Sequence, residues 1–153
     1  MRKLLLLLPL LLLFACGQPV VEETTKDFPE NRWDKSDVKT FDFELKDDIV
    51  SGRLVLKFSH VFEPLFNRVP LRIVMQKPDG EEEIISTALM LDDENGKHLS
   101  DCGGDLCDLK QVIKNNIPFQ KGNYKITISH NFPTEYVPNV VLLGVLVEDA
   151  MRD

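Results

Sequence analysis

The chain has no apolar run long enough to cross a bilayer as a helix. Leu4–Phe14 covers only about half of the roughly twenty residues a span requires, and Pro9 removes a backbone donor near its middle. Aromatic anchors are scarce: Trp33 is the single tryptophan, accompanied by two tyrosines. Three histidines are on offer as neutral-pH bases, and none sits in a nucleophile-elbow or comparable motif. No glycine-rich loop is built to cradle a phosphate. "LDDENG" fails as a calcium loop, because counting back from Gly96 puts Leu91 where the first acid must stand. The chain is therefore expected not to be an enzyme. Positive charge is also in deficit, with 18 Lys and Arg against 25 Asp and Glu for a net charge of −7. Such an acidic body argues against a nucleic-acid partner and against lying flat on anionic lipid.

The first residues have the order of a secretory leader. Met1-Arg2-Lys3 supplies the positive start, Leu4–Phe14 the apolar core, and Ala15-Cys16 the small-residue end. Leu13-Phe14-Ala15-Cys16 resembles the lipobox of bacterial lipoproteins, in which the cysteine receives a diacylglycerol and, after cleavage, an N-acyl chain. Residues 1–15 are thus expected to be a lipoprotein signal peptide and Cys16 the lipidation site. Two or more acyl chains give stable anchoring, at about 0.8 kcal/mol per buried methylene. Cleavage leaves 138 residues (153 minus 15) and a net charge of −9, since Arg2 and Lys3 leave with the leader. That is one domain by length.

Cys102 and Cys107, in "SDCGGDLCDL", are the remaining cysteines. An envelope compartment permits a disulfide between them, and closing so short a loop would stabilise by about 2 kcal/mol. Free or buried thiols are the second reading. A metal site using His98, Cys102, Asp105 and Cys107 is the third, though the cysteine spacing is not that of a structural zinc site. No metal and no catalytic thiol is expected.

Residues 16–32 are polar and carry neither a helical nor a strand period, so they read as a lipidated flexible tether. Its residues after Cys16 could reach at most about 55 Å. From there to residue 150 the pattern is one of strands and turns. "VKTFDFELK" alternates through Phe41, Phe43 and Leu45, and "RLVLKFSHV" through Leu54, Leu56 and Phe58. "LRIVMQK", "EEIISTALML" and "GNYKITISHN" behave likewise, and "VVLLGVLVE" is almost continuously apolar. Pro78-Asp79-Gly80 and Asn95-Gly96 supply turn chemistry. Six or seven strands at this spacing predict an all-β antiparallel sandwich, immunoglobulin- or jelly-roll-like, over residues 33–150. "DLKQVIKN" is expected to form at most a turn or two of helix. Trp33 is expected to plug one edge of the core, with ligand stacking as its alternative.

In order along the chain, "RWDKSDVKTFDFEL", "LFNRVPLRIVMQKPDG", "GKHLSDCGGDLCDL", "IPFQKGNYKITISHNF" and "VVLLGVLVE" follow a leader ending in Cys16. This set resembles the GldH-type gliding-motility lipoproteins of Bacteroidota across Trp33 to Glu148. The resemblance implies a non-enzymatic component of the gliding and secretion apparatus in the cell envelope, held to the outer membrane by lipid. It implies envelope proteins as partners and no cofactor beyond the diacylglycerol and N-acyl chains on Cys16. Trp33 and Asp105 are the candidate partner contacts. The rival reading is a surface glycan-binding or adhesive sandwich with a groove lined by Trp33, Tyr124 or Tyr136.

Overall fold

The computed structural model describes residues 20–151, so the expected signal peptide and the lipidation site Cys16 lie outside the described residues. Eleven strands are described: β1 (Val21–Thr25), β2 (Trp33–Asp34), β3 (Lys39–Leu45), β4 (Ile49–Val61), β5 (Arg68–Gln76), β6 (Glu82–Met90), β7 (Asp101–Gly103), β8 (Leu106–Phe119), β9 (Gly122–His130), β10 (Tyr136–Val137) and β11 (Val140–Asp149). One short 3-10 turn, Pro29–Asn31, interrupts the β pattern. The larger sheet runs β1-β11-β4-β8-β7 and the smaller β3-β9-β5-β6, with β2 and β10 forming a separate two-stranded ladder. Every ladder among them is antiparallel. The expected all-β sandwich is the fold.

Period-two alternation explains the core. In β3 every second residue is buried, placing Phe41, Phe43 and Leu45 inward. Leu54, Leu56 and Phe58 face them from β4, Leu143, Val145 and Val147 from β11, and Ile73, Met75, Ile126 and Ile128 complete the same cluster. β11 is buried along nearly its whole length because it is an interior strand of the larger sheet. The outward Val55 and Leu146 are buried as well. The ion pairs Lys57–Glu22 (2.8 Å) and Arg53–Glu148 (3.1 Å) join neighbouring residues of that same outer face, and their aliphatic stems are suited to shield it. Both expected turns form: Gly80 and Gly96 adopt φ of 86° and 76°, a region where a Cβ is penalised.

Two expectations are corrected. The tether does not extend to residue 32. Val21–Thr25 adds β1 to the edge of the larger sheet, pairing Val21 with Val147 and Thr25 with Leu143, and Phe28 joins the core. The folded domain thus begins at residue 21, not 33. An edge strand buries little, so "VEETT" carries no apolar alternation to read. "DLKQVIKN" is not helical: it lies within the fourteen-residue β8, whose partner is β4. Its burial alternates through Ile113, but half-buried Gln111 stands inward and exposed Val112 outward, so the residues do not show the alternation, and register shifts against β4 follow beyond Val112.

The registers also give the sandwich two ends. The β3–β4, β5–β6 and β8–β9 turns share one end with Val20, whose N–H donates to the Val147 carbonyl at 2.8 Å. The β4–β5, β6–β7, β7–β8 and β9–β11 connections gather at the other.

Candidate functional site

The second end is rich in exposed apolar side chains held by ordered loops. Backbone hydrogen bonds tie these loops together: Val61 N–H to Asn139 O at 2.9 Å, Phe62 N–H to Asp105 O at 2.9 Å, and Leu91 N–H to Asn67 O at 2.8 Å. On this scaffold Phe62, Leu99 and Leu106 are exposed, and Leu65 is 94% exposed. Beside Leu65, a hollow of about 330 Å³ is lined by Phe66, Phe132, Thr134, Tyr136 and Pro138, with Phe66 and Phe132 in edge contact at 5.3 Å. Glu63, Asp92, Asp93, Glu94 and Asp105 belong to the same connections, giving the apolar surface an acidic surround. Phe62, Leu65, Leu99 and Leu106 thus stand exposed on the connections of one end.

Trp33, expected as a partner contact or plug, is wholly buried and serves as the plug. Its indole N–H donates to the Asp37 carbonyl at 2.7 Å, and its ring meets His130 edge-on at 4.7 Å and Phe28 at 6.2 Å. The partner-contact assignment is therefore corrected: a side chain with no exposed surface cannot meet a ligand. Tyr124 is buried too, stacked on Phe43 at 5.3 Å, and the Arg32 guanidinium lies 4.7 Å over the Tyr136 ring. The three residues do not form a glycan platform. Asp105 sits exposed in the β7–β8 turn, its carbonyl accepting from Phe62.

Cys102 and Cys107 are directly opposed in the β7–β8 ladder, with Cα atoms 4.0 Å apart, and form a disulfide. Cys107 is in turn opposed to His60 of β4. His60 continues the inward series Leu54, Leu56, Phe58, a position the sequence pattern could have revealed. One ring nitrogen each of His60 and His98 and the Cys107 Sγ all lie within 4.8 Å of one another. The histidine missed from sequence thus replaces Asp105 in the imagined ligand set. Burial holds the His60 ring below the ordinary histidine pKa, against the opposing pull of the Val61 carbonyl.

His130 is buried beneath Trp33, and its contacts specify the neutral ring. Nε2–H donates to the Trp33 carbonyl at 2.9 Å, while Nδ1 accepts from the Phe132 N–H at 3.2 Å. Burial lowers its pKa; the carbonyl contact to Trp33 and the charge of Asp34 raise it, and Lys35 lowers it further. With a folded pKa below the unfolded value of about 6.5, the unfolded chain takes up the proton first as pH falls. Stability from this group is complete above that value and is lost as pH drops through the folded pKa. Urea unfolding should show stability falling as the pH drops below about 6.5, with a smaller slope in His130→Gln. An unchanged slope in the variant would remove His130 as the cause.

Among the described residues no helix is long and apolar enough to cross a membrane. The family model for the GldH lipoprotein matches residues 20–147. The chain belongs to the GldH lipoprotein family, as a gliding-motility-associated lipoprotein at family level. No curated protein matches it significantly. Among solved structures it is similar to the dimeric latent PorU from Porphyromonas gingivalis, at 12% identity and TM-score 0.35, covering 88% of this chain and 14% of that one. It is also similar to a CocE/NonD family hydrolase from Staphylococcus aureus, at 8% identity and TM-score 0.40, covering 90% of this chain and 32% of that one. The chain therefore spans less than a third of each of these proteins.

Proposed function

We propose that this GldH-family protein is a non-enzymatic envelope lipoprotein, fixed to the outer membrane through acyl chains on Cys16. In this reading its loop end binds a protein component of the gliding and secretion apparatus. The observation that carries the proposal is the docking of β1. Val20 is bonded to Val147, so only the stretch from Cys16 to Val20 remains as a link, with a reach of about 14 Å. Val21 opposes Val147, which opposes Leu54, and β4 then climbs to Val61 at the other end of the sandwich. Those seven residues rise about 23 Å. A lipid on Cys16 would hold the β3–β4 end toward the bilayer and present Phe62, Leu65, Leu99 and Leu106 away from it.

A partner suited to this surface inserts apolar side chains and surrounds them with cations, matching the acidic loops. Confinement near the membrane raises the effective concentration of the domain for its neighbours, so a modest contact suffices.

Photocrosslinkers placed in living cells at Leu65 and at Val50, which lies exposed at the opposite end, test the reading. Leu65 should yield discrete protein adducts that are lost when Cys16→Ser is combined with it, and Val50 should yield few. Protein adducts only at Val50, or none at Leu65 in membrane-bound protein, would overturn it.

A further inference from the structure

The disulfide end of the sandwich holds a cluster that protein contact does not require. We propose that reduction of the Cys102–Cys107 disulfide opens a zinc site whose ligands are His60, His98, Cys102 and Cys107. Three strands place the first parts of this set in one row: His60 opposes Cys107 across β4 and β8, and Cys107 opposes Cys102 across β8 and β7. Directly opposed residues project to the same face of a sheet, so all three side chains share it. His98 arrives from the β6–β7 connection, its ring edge-on to His60 at 5.8 Å.

The imidazoles are oriented as metal ligands are. His60 Nδ1–H donates to the Val61 carbonyl at 2.8 Å, which leaves the lone pair on Nε2, where it accepts from the Ser100 hydroxyl at 2.9 Å. His98 Nδ1–H donates to the Asp92 carboxylate at 2.7 Å, again leaving the Nε2 lone pair free. A carbonyl or carboxylate on the distal nitrogen is the usual second shell of a metal-bound histidine, and it fixes the tautomer and ring orientation. Tetrahedral zinc, with Zn–N about 2.0–2.1 Å and Zn–S about 2.3 Å, spaces its ligand atoms about 3.3–3.8 Å apart. One nitrogen each of His60 and His98 and the Cys107 sulfur lie within 4.8 Å of one another and need a small contraction, which the exposed His98, carried on a connection between strands, can supply. Cys102, also exposed, joins them by rotating its thiol once the S–S bond is broken.

The chemistry balances. A dithiol reductant gives two electrons and two protons, breaking the S–S bond; the reductant leaves as a disulfide, and Cys102 and Cys107 become thiols. Zinc binding then displaces both thiol protons to solvent. Two thiolates against one divalent ion leave no net charge, which suits a place where His60 and Cys107 are fully buried. A disulfide oxidant reverses the assembly: it takes two electrons from the two thiolates and two protons from solvent to leave as a dithiol, and the ion is released as the Cys102 and Cys107 sulfurs rejoin. The site would thus report the thiol–disulfide balance of the envelope at the same end that carries Leu99 and Leu106.

Cobalt(II) titration of the detergent-purified mature protein tests this, before and after anaerobic reduction with a phosphine. The reduced protein should bind one cobalt per chain with tetrahedral d–d and thiolate charge-transfer absorption, displaced by zinc; the oxidised protein should show neither band. His60→Ala removes a buried ring, so the exposed His98→Ala is the decisive variant and should weaken binding by about tenfold or more. Asp92→Asn, which perturbs only the support of His98, should weaken it by about tenfold. Absence of the bands in reduced protein, or unchanged affinity in His98→Ala, would overturn the proposal.

Discussion

Trp33→Ala should cost the domain about 3–5 kcal/mol, the loss expected for truncating a fully buried large aromatic. Against a typical total of about 5–15 kcal/mol, that is enough to leave much of the protein unfolded near physiological temperature. The magnitude follows from what the ring does. It has no exposed surface, lies between His130 and Phe28, and belongs to a two-residue strand whose one ladder partner among the described residues is β10. Around it, buried Lys39 pairs with Asp37 at 2.6 Å and stands 4.6 Å over the Phe28 ring. Removing Trp33 opens a cavity under His130 and frees the 27–39 segment from the core together. Trp33→Phe separates packing from hydrogen bonding. It keeps much of the apolar contact but strands the Asp37 carbonyl that the indole N–H now satisfies, a loss of about 1–3 kcal/mol. Since Trp33 is the sole tryptophan, both variants must be followed by far-ultraviolet circular dichroism in urea rather than by fluorescence. A midpoint for Trp33→Ala indistinguishable from wild type would show that the plug does not carry the edge of the core.

The strands that could be read from sequence are those with one face on the core and one in solvent. β3 alternates without a fault, and Phe41, Phe43 and Leu45 fall where alternation puts them. β1 could not be read because four of its five residues are polar and its stability comes from backbone pairing with β11 at a sheet edge. β8 was hidden for a different reason. Its burial keeps period two through Ile113, but polar Gln111 stands at an inward position and exposed Val112 at an outward one, and beyond Val112 its register against β4 slips. The site shows the same division. Cys102 and Cys107 are five apart in sequence and raise the question of a disulfide by themselves. His60 joins them only through the β4–β8 register, information that no local pattern contains, although its place two residues beyond Phe58 shows that it faces inward. The exposed Leu65 and Phe62 were likewise unreadable, since which loops share an end depends on the topology.

Gly144→Val should detach β1 from the sheet while leaving the rest of the sandwich folded. A Cβ at Gly144 would meet the Thr24 methyl at 2.7 Å and the Glu23 carbonyl oxygen at 2.8 Å, both closer than side chains tolerate. Valine is otherwise well suited to a strand, so a loss here reports the clash rather than propensity. Overpacking of this kind costs about 1–3 kcal/mol, and the system can escape it by releasing the edge strand, whose burial is slight. Amide exchange at Val21–Thr25 should become fast, and proteolysis should cut before Phe28, while exchange in β4 and β9 stays slow. Adding Thr24→Ala removes the methyl contact but not the carbonyl one, so rescue should be partial. In the lipidated protein the consequence extends to the membrane. With β1 released, the next anchored residue is the buried Phe28, and the link from Cys16 lengthens to a reach of about 40 Å. The domain would then reorient freely, and crosslinking at Leu65 should fall even though the loop end itself is untouched. If Gly144→Val releases β1 and Leu65 crosslinks persist at wild-type yield, orientation by the edge strand plays no part in partner binding.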